Sequence, residues 1–198
     1  MNDRSRPKAA SETPAKKSTA SIAPSGDIGS QVRPNLNPEA AYIGALLWLE
    51  VDRAGRAAGL VEPGDLADPR LRVVLGLVRD VVADGVRPDP VVVMAHARAA
   101  GTVTTTHAIK SLAELLADLY AECPLAASVG YYAAAVLDGS LRRRCALLGE
   151  RIGQIADSAS LAELVRVVGA EVVEVFELRN RRAAVLAGLG MPVLEVAA

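Results

Sequence analysis

The side chains that could do chemistry are few and scattered. Two histidines, His96 and His107, stand in no His-x-x-x-His or Glu-x-x-His pattern. Neither the helical spacing of paired metal ligands nor a base oriented by a neighbouring acid is therefore present, and a surface or capping role suits both. Two cysteines, Cys123 and Cys145, lie 22 positions apart without a second pair, which excludes a zinc ribbon or a disulfide framework and predicts two reduced, small core residues. No lysine follows a glycine, so the Gly-x-x-x-x-Gly-Lys-Ser/Thr phosphate loop is absent from these residues, and with it nucleotide hydrolysis by that route. The pattern offers no catalytic residue, no cofactor site and no metal site.

Charged groups are more numerous, with 22 basic against 23 acidic residues and a net charge of -1, so the bulk field does not favour nucleic acid. Residues 1–33 carry +3 and the remainder -4. Two basic clusters fall outside that tail, Arg142, Arg143 and Arg144, and then Arg179, Arg181 and Arg182. Their spacing could bring them to one end of a helical hairpin. A solvated face is the first reading of them and a phosphate-binding patch the second, because aromatic stacking partners are missing. Glu150, Glu163, Glu171 and Glu174 read as polar faces or as partners of arginines.

The elements that must position these groups are helices. Hydrophobic residues make up 51% of the chain but aromatics only 3%, a composition suited to packed Ala, Val and Leu helices. Asn37-Pro38-Glu39, Asp68-Pro69 and Asp89-Pro90 each place an N-cap before a proline at the first helical position. They predict helices from Pro38 to about Glu50, from Pro69 to about Asp84 and from Pro90 to Ala100, with Gly85 and Gly101 as stops. A short helix is expected over Asp52–Gly59 and a further one over Thr106–Tyr120. Gly44 should let another backbone come close, and Trp48 should pack at an edge. Val91, Val92 and Val93 could form a strand, but the flanking helix signals and the lack of a pairing strand favour helix.

From Pro124 the turn signals cease and two long amphipathic stretches follow, separated by Asp157-Ser158-Ala159-Ser160. Leu137, Leu141, Cys145, Leu148, Ile152 and Ile155 recur at spacings of 4, 4, 3, 4 and 3, the near-heptad period of antiparallel helix packing. Leu161, Leu164, Val168, Val172 and Val175 answer them behind the capping-box pattern Ser160-Leu161-Ala162-Glu163. Each arm, about 40 Å long, exceeds what short helices can cover, so part should project. Its leftover apolar positions predict self-association through Leu137, Leu141, Leu148, Ile152, Leu161, Leu164, Val168, Val172 and Phe176.

The expected architecture is all-α: a tail over 1–33 too polar to order, a bundle of short helices over 34–123, a long antiparallel hairpin over 124–186, and a flexible tail over 187–198. No apolar run is long enough for a signal peptide or a membrane span, which predicts a cytoplasmic location.

In order along the chain, these signals resemble the amino-terminal domain of the DnaB family of replicative helicases. Pro38-Glu39-Ala40-Ala41 with Ile43-Gly44-Ala45-Leu46-Leu47 is similar to that family's opening "E-A-E-x-x-V-L-G-x-L-L", and Leu60-Val61-Glu62-Pro63-Gly64-Asp65-Leu66 to its "L-x-P-E-D-F", with Leu66 in place of phenylalanine. Gly85-Val86-Arg87-Pro88-Asp89-Pro90-Val91-Val92-Val93 resembles "G-x-P-V-D-x-V-T-L". Leu112-Ala113-Glu114-Leu115, Pro124 and Tyr131-Tyr132-Ala133 follow "Y-L-x-E-L…P…Y-A", and Leu141-Arg142-Arg143 matches "L-R-R". The family's Gly-Gly before the fifth helix is replaced by Thr104-Thr105-Thr106-His107, and a RecA-like motor is absent from the 198 residues. The resemblance implies paired hairpins in a ring-shaped collar and a docking surface for primase and helicase loaders. It therefore implies a non-catalytic module that forms a homodimer or higher oligomer and binds a helicase, primase or loader. The alternative reading is a dimeric DNA-binding regulator that uses the basic tail and the six clustered arginines.

Overall fold

The computed structural model describes Met1 and residues 37–189, and the architecture of these residues is all-helical. Seven α-helices run in the order α1 (Pro38–Trp48), α2 (Val51–Ala58), α3 (Pro69–Ala83), α4 (Pro90–Ala99), α5 (Thr106–Ala121), α6 (Val129–Ile155) and α7 (Leu161–Gly188). Short 3₁₀ turns over Pro63–Asp65 and Ala126–Ser128 complete the described elements. The segments expected to be tails lie outside the described residues, apart from Met1 and the last turn of α7 through Leu189.

The N-cap and proline signals start helices as expected. The side chains of Asn37, Asp68 and Asp89 accept hydrogen bonds from the backbone N–H groups of Glu39, Arg70 and Val91, each with a proline just inside the helix. Val91, Val92 and Val93 lie in α4, so the helix reading of that run holds. Gly85 and Gly101 take φ of +76° and +70° at the ends of α3 and α4, the left-handed backbone that glycine adopts without a Cβ clash.

Helix α1 is the axis of the bundle. Glu39 through Leu47 are all buried, because α2, α3, α5 and α6 pack around it and leave it no solvent face. Gly44 permits the closest of these approaches: a Cβ placed there would stand 2.3 Å from the Leu119 carbonyl oxygen of α5. Tyr42 is wholly buried, its hydroxyl donating to the Ala57 carbonyl at 2.7 Å, and desolvation pushes the phenol far above its ordinary pKa. Arg79 of α3 donates to the Ala58 and Val61 carbonyls and so ties down the chain after α2. At the rim, Trp48 stacks on Tyr120 with centroids 4.0 Å apart and donates its indole N–H to the Tyr120 carbonyl.

The two long helices pair as an antiparallel hairpin rooted in this bundle. Val129, Ala133, Ala134, Val136 and Leu137 of α6 belong to the core, as do Leu178, Val185 and Leu186 of α7. Beyond Ser140 no α6 residue is buried, and between Leu161 and Glu177 of α7 only Val167 is. The inner halves of the arms therefore build the bundle, and the outer halves have only each other.

Candidate functional site

Where the arms leave the core, two bundle carboxylates are buried, Glu39 and Asp65, with 7% and 4% of their surface exposed. Burial of a charge is tolerated only with full pairing. Glu39, at the start of α1, accepts hydrogen bonds from the backbone N–H groups of Ala67 (2.9 Å) and Asp68 (3.2 Å), and its Oε1 meets Arg143 Nη1 of α6 at 3.2 Å. Asp65, in the turn before α3, accepts from Glu62 N–H at 2.8 Å, from the Ser140 hydroxyl at 3.1 Å and from Arg181 of α7 at 2.9 Å. Arg143 also donates to the Asp65 carbonyl oxygen, and Arg181 reaches Glu62 at 2.9 Å. One arginine from each arm is thus held at a buried bundle acid, Arg143 by Glu39 and Arg181 by Asp65, and both reach Asp65.

A second set of ion pairs joins arm to arm. Arg144 pairs with Glu174 and stands 4.0 Å from Glu171, Arg151 pairs with Glu171 at 2.7 Å, and Arg182 pairs with Asp138. The two basic clusters are therefore brought together, and four of their six members, Arg143, Arg144, Arg181 and Arg182, are engaged by carboxylates of this chain. Among the described residues no carboxylate lies within ion-pair distance of Arg142 or Arg179.

The predicted interface residues divide into three groups. Leu137 is wholly buried in the bundle, so the expectation that it meets a partner gives way to a core role: α6 enters the core three turns deeper than the heptad pattern alone conveys. Leu141, Leu148 and Ile152 are half-buried on the side of α6 that carries the inter-arm arginines, and Leu164 is half-buried near the face of α7 that carries Val167, Glu171 and Leu178. Of the remaining residues, Leu161 and Phe176 are exposed and Val168 and Val172 half-buried. Leu161, Val168, Val172 and Phe176 share a stripe of α7 with Val165, which the sequence reading omitted; Leu161, Val165 and Phe176 are 77%, 64% and 52% exposed. Their spacings of 4, 3, 4 and 4 place them within one quarter of the helix circumference. The signal for Val165 was available: a second apolar residue four positions after Leu161.

The chemistry-bearing residues do not converge. His96 lies between Asp80 and Asp84 at 3.8 and 3.9 Å, on the α3–α4 surface, and His107 is exposed at the start of α5. Cys123 is half-buried, and desolvation raises its thiol pKa; Cys145 is exposed, which corrects the expectation that both are core residues. Among the described residues no group of three or more His, Cys, Asp or Glu side chains could hold a metal ion, and no helix is long and apolar enough to cross a membrane.

Fold and site together define an all-helical domain in which a compact bundle grips the root of a long hairpin and an apolar stripe on one arm is left partly exposed. The family model described as "DnaB-like helicase N terminal domain" matches residues 32–138, over half of the chain. The chain belongs to that family. It is 30% identical over 162 residues to the replicative DNA helicase DnaB of Mycobacterium leprae, an alignment that takes in 80% of this chain and 26% of the relative, so the chain spans about a quarter of that helicase. Among solved structures it resembles the N-terminal domain of DnaB helicase from Mycobacterium tuberculosis, with a TM-score of 0.60 and 27% identity over 72% of this chain and 99% of that one.

Proposed function

We propose that this chain acts as a non-catalytic assembly module of the DNA replication machinery, which self-associates through its hairpin and offers the assembled surface to a helicase, primase or helicase loader. The observation that carries the reading is the α7 stripe of Leu161, Val165, Val168, Val172 and Phe176, in which the chain's own residues leave Leu161, Val165 and Phe176 exposed and cover Val168 and Val172 only in part. A helix face of this kind is covered in water by a partner, and a second copy supplies an identical stripe that can meet it about a two-fold axis. Membership of the DnaB-like N-terminal family supports the same reading. The engagement of four clustered arginines by internal carboxylates weighs against the DNA-binding alternative, because each must first leave its partner to reach a phosphate.

Sedimentation equilibrium tests the first step. The native chain is expected to form dimers or larger species at tens of micromolar, a working range consistent with a modest interface. Val165→Glu combined with Phe176→Glu should give monomers of unchanged helicity. A native chain that stays monomeric throughout, or a double variant that associates as well as the native chain, would overturn the reading. Pull-down of purified helicase, primase and loader by the native chain, compared with the double variant, tests the second step.

A further inference from the structure

We propose that Gly139–Ser140 is a hinge in α6, and that Glu39 and Asp65 hold it at one angle by clamping Arg143 and Arg181. This goes beyond the assembly reading, because it concerns the aim of the hairpin within a single chain, whatever docks on the stripe.

Three observations lead to it. First, α6 is a continuous 27-residue helix that contains a Gly-Ser pair at the point where it leaves the core. Ser140 is its last buried residue and Leu141 the last packed against the core, so the bundle fixes the helix up to this point. Gly-Ser pairs are among the few sequence features at which long helices kink. Second, the next turn of the same helix sends Arg143 back to the bundle, and the opposite arm sends Arg181 to the same place. Both land on acids that backbone N–H groups already hold, those of Ala67 and Asp68 for Glu39 and that of Glu62 for Asp65. Directional bonds to fixed acceptors define an angle, whereas apolar contacts between helices can slide. Third, a Cβ on residue 139 would lie 3.3 Å from the Arg143 guanidinium. Glycine at that position thus both loosens the helix and leaves room for the arginine that secures it.

The lever is long enough to matter. From Leu141 to Ile155 the outer arm extends about 22 Å, so a bend of about 20° at the hinge moves the tip by about 8 Å. Releasing the clamp should therefore re-aim the stripe without unfolding the bundle.

Double electron–electron resonance on the full chain tests this. Spin labels are attached at Val91→Cys on α4 and Ser158→Cys at the hairpin tip, in a Cys123→Ser, Cys145→Ser background diluted with unlabelled chain. The parent should give one narrow distance distribution. Arg143→Met with Arg181→Met should broaden or shift it by several ångströms while circular dichroism keeps its helical signal, and Gly139→Ala added to that pair should narrow it again. Should the double variant not fold, Arg181→Gln carries the test, since it leaves Asp65 its bonds from Ser140 and Glu62 and should still broaden the distribution. A folded clamp variant with the parent's narrow distribution, or a broad distribution in the parent, would overturn the proposal. So would failure of Gly139→Ala to narrow the released chain.

Discussion

Replacing Glu39 by alanine isolates the buried half of the junction. Its carboxylate accepts two backbone N–H groups, from Ala67 and Asp68, and pairs with Arg143. Truncation leaves two donors without their acceptor in the groove between α1 and α3, and each loss is worth about 1 kcal/mol at the partial exposure of these residues. Arg143 is 39% exposed and keeps its bond to the Asp65 carbonyl, so solvent screening limits its share to about 1 kcal/mol or less. The loss is therefore about 2–3 kcal/mol, which for a domain of this size lowers the melting temperature by about 5–10 °C. Glu39→Gln keeps one acceptor oxygen and should lose about half as much. Urea denaturation followed by circular dichroism measures both. If Glu39→Ala loses less than about 0.5 kcal/mol, water replaces the carboxylate without penalty and the buried acid does not hold the junction.

Gly44→Ala should destabilise by about 3 kcal/mol in the same assay, because its Cβ would stand 2.3 Å from backbone, the Leu119 carbonyl, and the helices must separate to admit it. A change near zero would mean that α1 and α5 are not in close contact. The side-chain bond from Arg70 holds Asp68 below the usual carboxylate range. A depressed folded pKa contributes stability that is complete above the unfolded value of about 4 and is lost as pH falls through the folded value. Asp68→Asn should therefore flatten that part of the acid limb of a melting-temperature-against-pH profile, and an unchanged limb would refute the assignment. Cys145 should react with a disulfide reagent at mildly alkaline pH well before Cys123, whose thiol burial shifts away from the thiolate. Equal rates measured on the single-cysteine variants would contradict the burial pattern.

What could be read from the sequence was whatever a few neighbouring residues decide. The three cap-and-proline starts, the glycine stops and the close approach at Gly44 need only local sterics and hydrogen bonding, and each stands where it was expected. The two arms were legible for the same reason, since helical period is a local property. Their depth was not. Leu137 and Leu141 are successive positions of one near-heptad stripe, yet the first is in the core and the second half-buried, a difference set by how far the bundle reaches along α6.

The acids and arginines were misjudged through the same gap. Glu39 in the first turn of a helix has a sufficient local explanation in the helix dipole, and a row of arginines on an amphipathic helix has one in solvation. Neither hints at a partner 104 or 116 positions away, the separations of Glu39 from Arg143 and of Asp65 from Arg181. Charge pairing at such distance leaves no period in a sequence, because either partner alone satisfies the local rules. Where a sequence offers two basic clusters and no nucleic-acid signature, carboxylates elsewhere in the chain are therefore as natural a destination as phosphate, and in this fold four of the six arginines reach one, two of them a buried one.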